Sequence, residues 1–273
     1  MQNFSYSPIE MVASYWRNRS LINTLTKREI LGRYRGSSFG LLWSFFNPIL
    51  MLAVYTFVFS VVFNARWGAG SGGSKTEYAL VLFAGLIVFN IFAECASRAP
   101  DLVLSNVNYV KKVVFPLEIL PWVILGAALF HGLISLFVWL IFYCIFFGVP
   151  HLTVLYFPVV VFPLIVFSMG ISWALASLGV YLRDISQVIG VVITMLMFLS
   201  AIFYPVSSLP EDYQVIMQMN PLVPIIEQVR EVLVWGNEPN YLLLIFYLGG
   251  ALIFAWLGFA WFQKTRKGFA DVL

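Results

Sequence analysis

Six uninterrupted apolar runs, each long enough to cross a bilayer as a helix, decide what this chain can become. With a window of roughly 20 residues for a hydrocarbon layer of about 30 Å, they fall at 39–63, 78–95, 119–147, 152–182, 188–204 and 241–262. The runs are continuous, whereas barrel strands alternate polar and apolar residues, so helices are expected. Only 11% of the 273 residues are charged and 61% are hydrophobic, against about a quarter charged in soluble domains. That leaves too little polar surface to face water all round. The expectation is an all-α polytopic membrane protein with six transmembrane helices, forming one domain over 1–273. Within it, 1–37 is a cytoplasmic and interfacial region, 38–262 the six-span bundle and 263–273 a cytoplasmic tail.

Thirteen of the sixteen Lys and Arg residues fall on one side of these runs and three on the other, which by the positive-inside rule places both termini in the cytoplasm. No compact apolar segment with a small-residue cleavage site precedes the first run, so no signal peptide is read. Cys95 and Cys144 are expected at opposite faces, too far apart for a disulfide. The Gly-Lys pair of a phosphate-cradling Walker A loop is absent, so ATP hydrolysis by that route is not available to this chain. His131 and His151 lack neighbours at metal-ligand spacing, and Glu94 is nearly alone among acidic residues in the runs. A catalytic or metal site, a proton-coupled pump and nucleic-acid binding are therefore not expected.

The stretch 21–35 carries Leu21, Leu25, Arg28 and Gly32 on successive turns. Ile22, Ile30 and Leu31 add apolar area, while Lys27, Arg28, Arg33 and Arg35 crowd the approach to the first run. This pattern predicts a basic amphipathic helix on the inner membrane surface. It fits a positive flank drawn to anionic lipid, and equally a site where Arg33 and Arg35 receive an anionic headgroup such as a lipid-linked pyrophosphate.

Between the second and third runs, Asn106 or Asn108 is placed to cap a short helix bearing Tyr109, Lys111, Lys112 and Phe115, ended by Pro116. Exposed aromatics beside paired lysines suit docking into a partner protein, or anchoring of a loop at the surface. After the fifth run, Ser208 and Glu211 stand at capping-box spacing. A helix to about Met219, a break at Asn220-Pro221 and a second helix from about 224 to 235 are each too short to span. Together they predict a re-entrant hairpin in the outer leaflet. Glu227, Arg230 and Glu231 sit at i, i+3 and i+4, so the arginine can pair while the cluster faces water or a pore, or makes a local surface bridge.

Pro121, Pro158 and Pro163 mark irregularities in the overlong third and fourth runs. His131 reads as a helix-packing histidine with a hydrogen-bond partner, Arg183-Asp184 as a paired corner at an inner turn, and Gly170 to Gly179 as a small-residue packing face. Trp43, Phe46, Tyr55, Phe59, Phe198, Phe203 and Tyr204 face lipid or pack, while a minority lining a conduit would offer sugar rings a face to stack on.

The stretch Lys27-Arg-Glu-Ile-Leu-Gly-Arg-Tyr-Arg35 leading to Asn47-Pro48 and the loop Asn108-Tyr-Val-Lys-Lys-Val-Val-Phe-Pro116 belong to a longer motif set. It continues in the turn Leu182-Arg-Asp-Ile185, the segment from Phe203-Tyr-Pro205 to Asn220-Pro221 and the tail Lys267-Gly-Phe-Ala-Asp-Val-Leu273. Over essentially the whole chain this set resembles the permease subunits of polysaccharide ABC exporters, nearest to the Wzm-type O-antigen permeases, with capsule and teichoic acid permeases as cousins. The resemblance implies a homodimeric channel in a bacterial inner membrane, surrounded by membrane lipids. It also implies a separate ATPase subunit of Wzt type that binds ATP and Mg, no cofactor in this chain, and a lipid-linked polysaccharide as cargo.

The resemblance assigns Lys27, Arg28, Arg33, Tyr34 and Arg35 to an interface helix that gates lipid loading. Asn108, Tyr109, Lys111, Lys112 and Phe115, with Arg183 and Asp184, become contacts to the ATPase. Trp43, Phe46, Tyr55, Phe59, Phe198, Phe203 and Tyr204 become channel aromatics, and Tyr213, Met217, Glu227, Arg230 and Glu231 the outer gate. Competing readings are an exporter of drugs or smaller lipids, a polyprenyl glycosyltransferase, which would need clustered carboxylates at one membrane face, and a passive channel.

Overall fold

The computed structural model of the chain describes residues 5–62, 67, 75–110 and 115–273, with the backbone alone at 60, 61 and 75. Among the described residues every regular element is helical. The first, α1 (Pro8–Arg33), starts where the Ser7 hydroxyl accepts from the Glu10 N–H at 3.1 Å, a side-chain N-cap with proline in the first turn. Its buried positions are Met11, Ser14, Ile22 and Leu25, and Ile22 and Leu25 pack on Ile119 and Val123. Counted from Met11 in steps of three and four, the packed stripe passes through Ile22 and Leu25 and leaves Leu21 and Leu31 exposed. Of the positions marked in the sequence, Leu25 and Ile22 face the protein, while Leu21 and Leu31 face away from it.

A 3-10 turn, Gly40–Leu42, leads into α2 (Trp43–Tyr55). Pro48 has no N–H to offer the Ser44 carbonyl, and beyond Tyr55 the helix widens into a π-helical stretch, Thr56–Val62. Next come α3 (Lys75–Arg98), the single turn α4 (Val107–Val110), α5 (Leu120–Phe147), α6 (Phe157–Tyr181) and α7 (Ile185–Leu199). Pro121 and Pro158 stand in the first turns of α5 and α6, where no N–H is needed, so they start helices and do not distort them. Pro163 alone of the three lies inside a helix.

The chain then forms α8 (Glu211–Gln218), α9 (Val223–Arg230) and a π-helical extension, Glu231–Trp235, closed by left-handed Gly236. The last long helix is α10 (Tyr241–Thr265), capped by Asn240. The expected capping box is not made. Pro210 precedes α8 without a side-chain cap, and the Ser208 hydroxyl donates instead to the Pro205 carbonyl at 2.8 Å.

Among the described residues five helical stretches are long and apolar enough to cross a membrane: Gly40–Phe59, Thr76–Arg98, Leu117–Phe147, Leu152–Tyr181 and Tyr241–Val272. The fifth expected run folds as α7, which at 15 residues is about 22 Å long. It stops because Ala201 adopts a left-handed φ of 51°, so the apolar residues after Leu199 form a turn. By length, five stretches stand where six were expected.

At the centre is α3, packed by α5, α6, α7 and α9. The most extensive helix pair is α6 with α10, whose backbones approach so closely that a Cβ on Gly258 would lie 2.3 Å from the Gly170 carbonyl oxygen. Gly179 meets the Pro100 carbonyl in the same way, at 2.0 Å. The small residues of α6 are therefore a packing face, as expected.

Candidate functional site

The C-terminal end of α1 and the flanks of α2, α3, α5 and α7 enclose a cleft of about 1000 Å3. At one end lies a charged network. Glu94 on α3 accepts from Arg33 Nη1 at 2.8 Å and from His131 Nδ1 at 2.8 Å, while Arg98, one turn on, reaches both Glu94 at 3.4 Å and Glu29. A carboxylate can only accept, so Nδ1 of His131 carries the proton and Nε2 is left to accept from the Tyr34 hydroxyl at 3.2 Å. Burial pushes the Tyr34 phenol up from its ordinary value. His131 thus has the hydrogen-bond partner expected of it. What the sequence did not disclose is that the partner is Glu94, 37 positions away.

The basic residues of α1 divide by partner. Arg33 is committed to Glu94, and Arg28 donates to the Tyr109 hydroxyl at 3.2 Å. Lys27 and Arg35 are exposed, and among the described residues neither forms an ion pair.

Tyr109 lies in α4, and its ring stacks on Phe115 beyond the turn, with centroids 4.1 Å apart and planes 8° from parallel. Asn108 is exposed on the same turn. Asn106 does not cap α4 through its amide but donates to the Leu102 carbonyl at 2.9 Å. Lys111 and Lys112 lie outside the described residues. On the far side of the loop, Arg266 donates to the Phe115 carbonyl at 2.8 Å and pairs with buried Glu118, which also accepts from Ser14 Oγ at 3.2 Å. This buried cluster was not singled out from the sequence. Its only signal is a lone glutamate at the mouth of an apolar run. Arg183 and Asp184, expected as a pair, are both exposed, and among the described residues neither forms an ion pair. As adjacent residues at a helix start, their side chains diverge.

The aromatics gather into two groups. Trp43, Phe46 and Phe39 meet edge to face near the start of α2. Tyr55, Phe59, Phe198 and Phe203 cluster toward its other end, with Phe59 and Phe203 stacked at 5.2 Å. Tyr204 joins through its hydroxyl, which donates to the Phe198 carbonyl at 2.8 Å.

In the outer segment, Tyr213 is exposed on α8 while Met217 packs against Ala201, Val206 and Val223. The charge trio corrects the expectation of an arginine facing water. Arg230 is only 3% exposed, donates to the carbonyls of Ile202 at 2.8 Å and Val81 at 3.2 Å, and lies 4.3 Å over the Trp67 ring. Glu231 accepts instead from Asn237, and Glu227 is partly buried. The pairing failed because α9 presents that face inward, where the carbonyls of Val81 on α3 and Ile202 in the turn after α7 take the guanidinium.

A bundle of membrane-length apolar helices around a cleft of mixed polar and apolar lining is the architecture of a polytopic membrane protein. The chain belongs to the ABC-2 type transporter family, whose profile matches residues 20–234. Among curated proteins it is 28% identical over 254 residues to the O-antigen export system permease protein RfbA of Klebsiella pneumoniae, covering 93% of this chain and 95% of that one. To the Myxococcus xanthus protein of the same name it is 25% identical over 265 residues, covering 96% and 99%. Identity to the Escherichia coli polysialic acid transport protein KpsM is 24% over 255 residues, covering 90% and 93%.

Proposed function

We propose that this chain is the channel-forming permease of an ABC exporter that carries a lipid-linked polysaccharide of the O-antigen class across a bacterial inner membrane. The observation that carries the reading is end-to-end similarity to O-antigen export permeases. In this reading two copies form the channel, a separate Wzt-type ATPase binds ATP and Mg, and both termini are cytoplasmic. The 1–273 chain is then a single transmembrane domain, with α7 as a sixth, short span and α8 with α9 as a re-entrant pair.

Supporting the dimer, α2 and α7 keep little of their apolar surface within the chain: no residue of α7 is buried, and of α2 only Ser44 and Leu52 are. A second copy would cover such faces, and the cluster of Tyr55, Phe59, Phe198 and Phe203 would line the conduit between them. The stacked Tyr109 and Phe115 present a rigid knob to the ATPase, with Asn108, Lys111, Lys112, Arg183 and Asp184 around it. Arg35 and Lys27, lacking acidic partners, suit the pyrophosphate of the carrier lipid better than Arg33, which Glu94 already holds. Tyr213, Met217, Glu227, Arg230 and Glu231 belong to the outer exit. The similarity to KpsM keeps a capsule-type polymer as the alternative cargo.

The test is genetic and biochemical together. Deleting the gene should remove surface polysaccharide and leave lipid-linked polymer inside, and the tagged chain should co-purify with a P-loop ATPase in equal amount. Undiminished surface polymer in the deletion strain would overturn the reading.

A further inference from the structure

The most buried of the five membrane-length helices has one exposed residue between Tyr78 and Phe92, and it is a carboxamide, Asn90. Asn90 lines the cleft one helical turn, about 6 Å, from Glu94. Asn47 of α2 lines the same cleft and is also exposed. Among the described residues neither amide hydrogen-bonds to protein. Ser135 beside them spends its proton on the His131 carbonyl at 2.9 Å and keeps its lone pairs. A carboxamide at membrane depth costs free energy unless something supplies it with partners, and such groups mark pathways and sites.

The nearby charges are already spoken for. Glu29 and Glu94 balance Arg33 and Arg98 in one network, so an anion would have to compete with two carboxylates for either guanidinium. On the other side of the amides the lining turns to Met51, Tyr55, Phe83 and Met197. A hydrocarbon chain filling this space would strand both amides. An uncharged ring with hydroxyls on its edge and C–H bonds on its face satisfies the two halves at once, with hydroxyls to the amides and the apolar face to the aromatic lining.

We propose that Asn47 and Asn90 form a carbohydrate-binding collar, holding an uncharged sugar unit of the cargo apart from the place that receives the anionic headgroup. The proposal rests on the export reading, and the experiment separates the two.

Surface polysaccharide is measured per copy of membrane-inserted chain in the full exporter for wild type, for Asn47→Leu with Asn90→Leu, and for Asn47→Ser with Asn90→Ser. The leucine pair should lose about tenfold or more, the loss of two net hydrogen bonds. The serine pair, which keeps a hydroxyl at each place, should recover about threefold or more of that loss. In the purified complex, Ala93→Cys, a cleft-lining position one turn from Asn90 that leaves both amides in place, combined with Cys95→Ala and Cys144→Ser, should react with a charged, water-soluble methanethiosulfonate, and maltohexaose should slow the reaction where inorganic pyrophosphate does not.

Undiminished export by the leucine pair, equal loss in the leucine and serine pairs, or labelling that maltohexaose fails to slow overturns the collar. If the wild-type exporter itself places no polysaccharide on the surface, the export reading fails, and the labelling still decides the collar.

Discussion

Tyr109 and Phe115 lie face to face across the loop between α4 and α5, 4.1 Å apart and 8° from parallel, and each is tied to a different terminal helix. Arg28 of α1 holds the Tyr109 hydroxyl, and Arg266, just past α10, holds the Phe115 carbonyl. Tyr109 and Phe115 are therefore held from both ends of the chain.

Tyr109→Ala should weaken docking of the ATPase without loss of membrane-inserted chain. Removing a stacked pair worth about 0.5–1.5 kcal/mol lowers co-purified ATPase several-fold, measured by quantitative blotting against the permease. Tyr109→Phe keeps the stack, loses only the Arg28 bond, and should retain most of the ATPase. Equal recovery with Tyr109→Ala and wild type would refute the docking role.

Breaking the Glu118–Arg266 pair should destabilise the folded chain. Both side chains are largely buried, and removing one partner of a buried pair costs about 3–5 kcal/mol. Arg266→Ala should lower the unfolding midpoint of the detergent-purified protein clearly. Arg266→Met with Glu118→Leu should recover part of the difference, because no charge is then left stranded.

Gly258→Ala should be poorly tolerated and Gly249→Ala neutral. The first Cβ falls 2.3 Å from a backbone oxygen, whereas the second meets nothing within 4 Å. Overpacking of this kind costs about 1–3 kcal/mol or more, visible as reduced membrane abundance and a lower unfolding midpoint. Gly179→Ala should behave like Gly258→Ala.

Arg33→Ala and Arg35→Ala should separate by assay. Loss of Arg33 removes one of three partners of Glu94 and, with Arg33 itself half exposed, should lower stability by at most about 1 kcal/mol. Loss of Arg35 removes a cation without an acidic partner, so stability holds while export falls, read as surface polymer per copy. Wild-type export by Arg35→Ala would argue against a headgroup role.

How much was legible follows from what each feature depends on. Apolar runs are local, so the helices of 78–95, 119–147 and 241–262 were readable almost to their ends. The run 188–204 is helical only as far as Leu199, because hydropathy does not register the left-handed turn at Ala201 that ends α7. The part of α1 that packs on the protein begins at Met11, upstream of the window 21–35 that carried the basic pattern. Long-range partners were invisible: Glu94 with His131, Glu118 with Arg266, and Arg230 with the carbonyls of Val81 and Ile202. Asn47 and Asn90 carried a signal that passed unused, as two carboxamides inside apolar runs.

Three bonds near the end of α1 have a mechanical consequence. Arg28 reaches Tyr109, Glu29 reaches Arg98 and Arg33 reaches Glu94. Successive helical residues point about 100° apart, so Arg28 and Glu29 grip neighbours in different directions, and α1 cannot roll about its own axis without letting go of one. A push arriving at the α4–α5 loop is then passed on as displacement of the whole rod, like a crank with its rotation locked, and the mouth of the cleft moves with it.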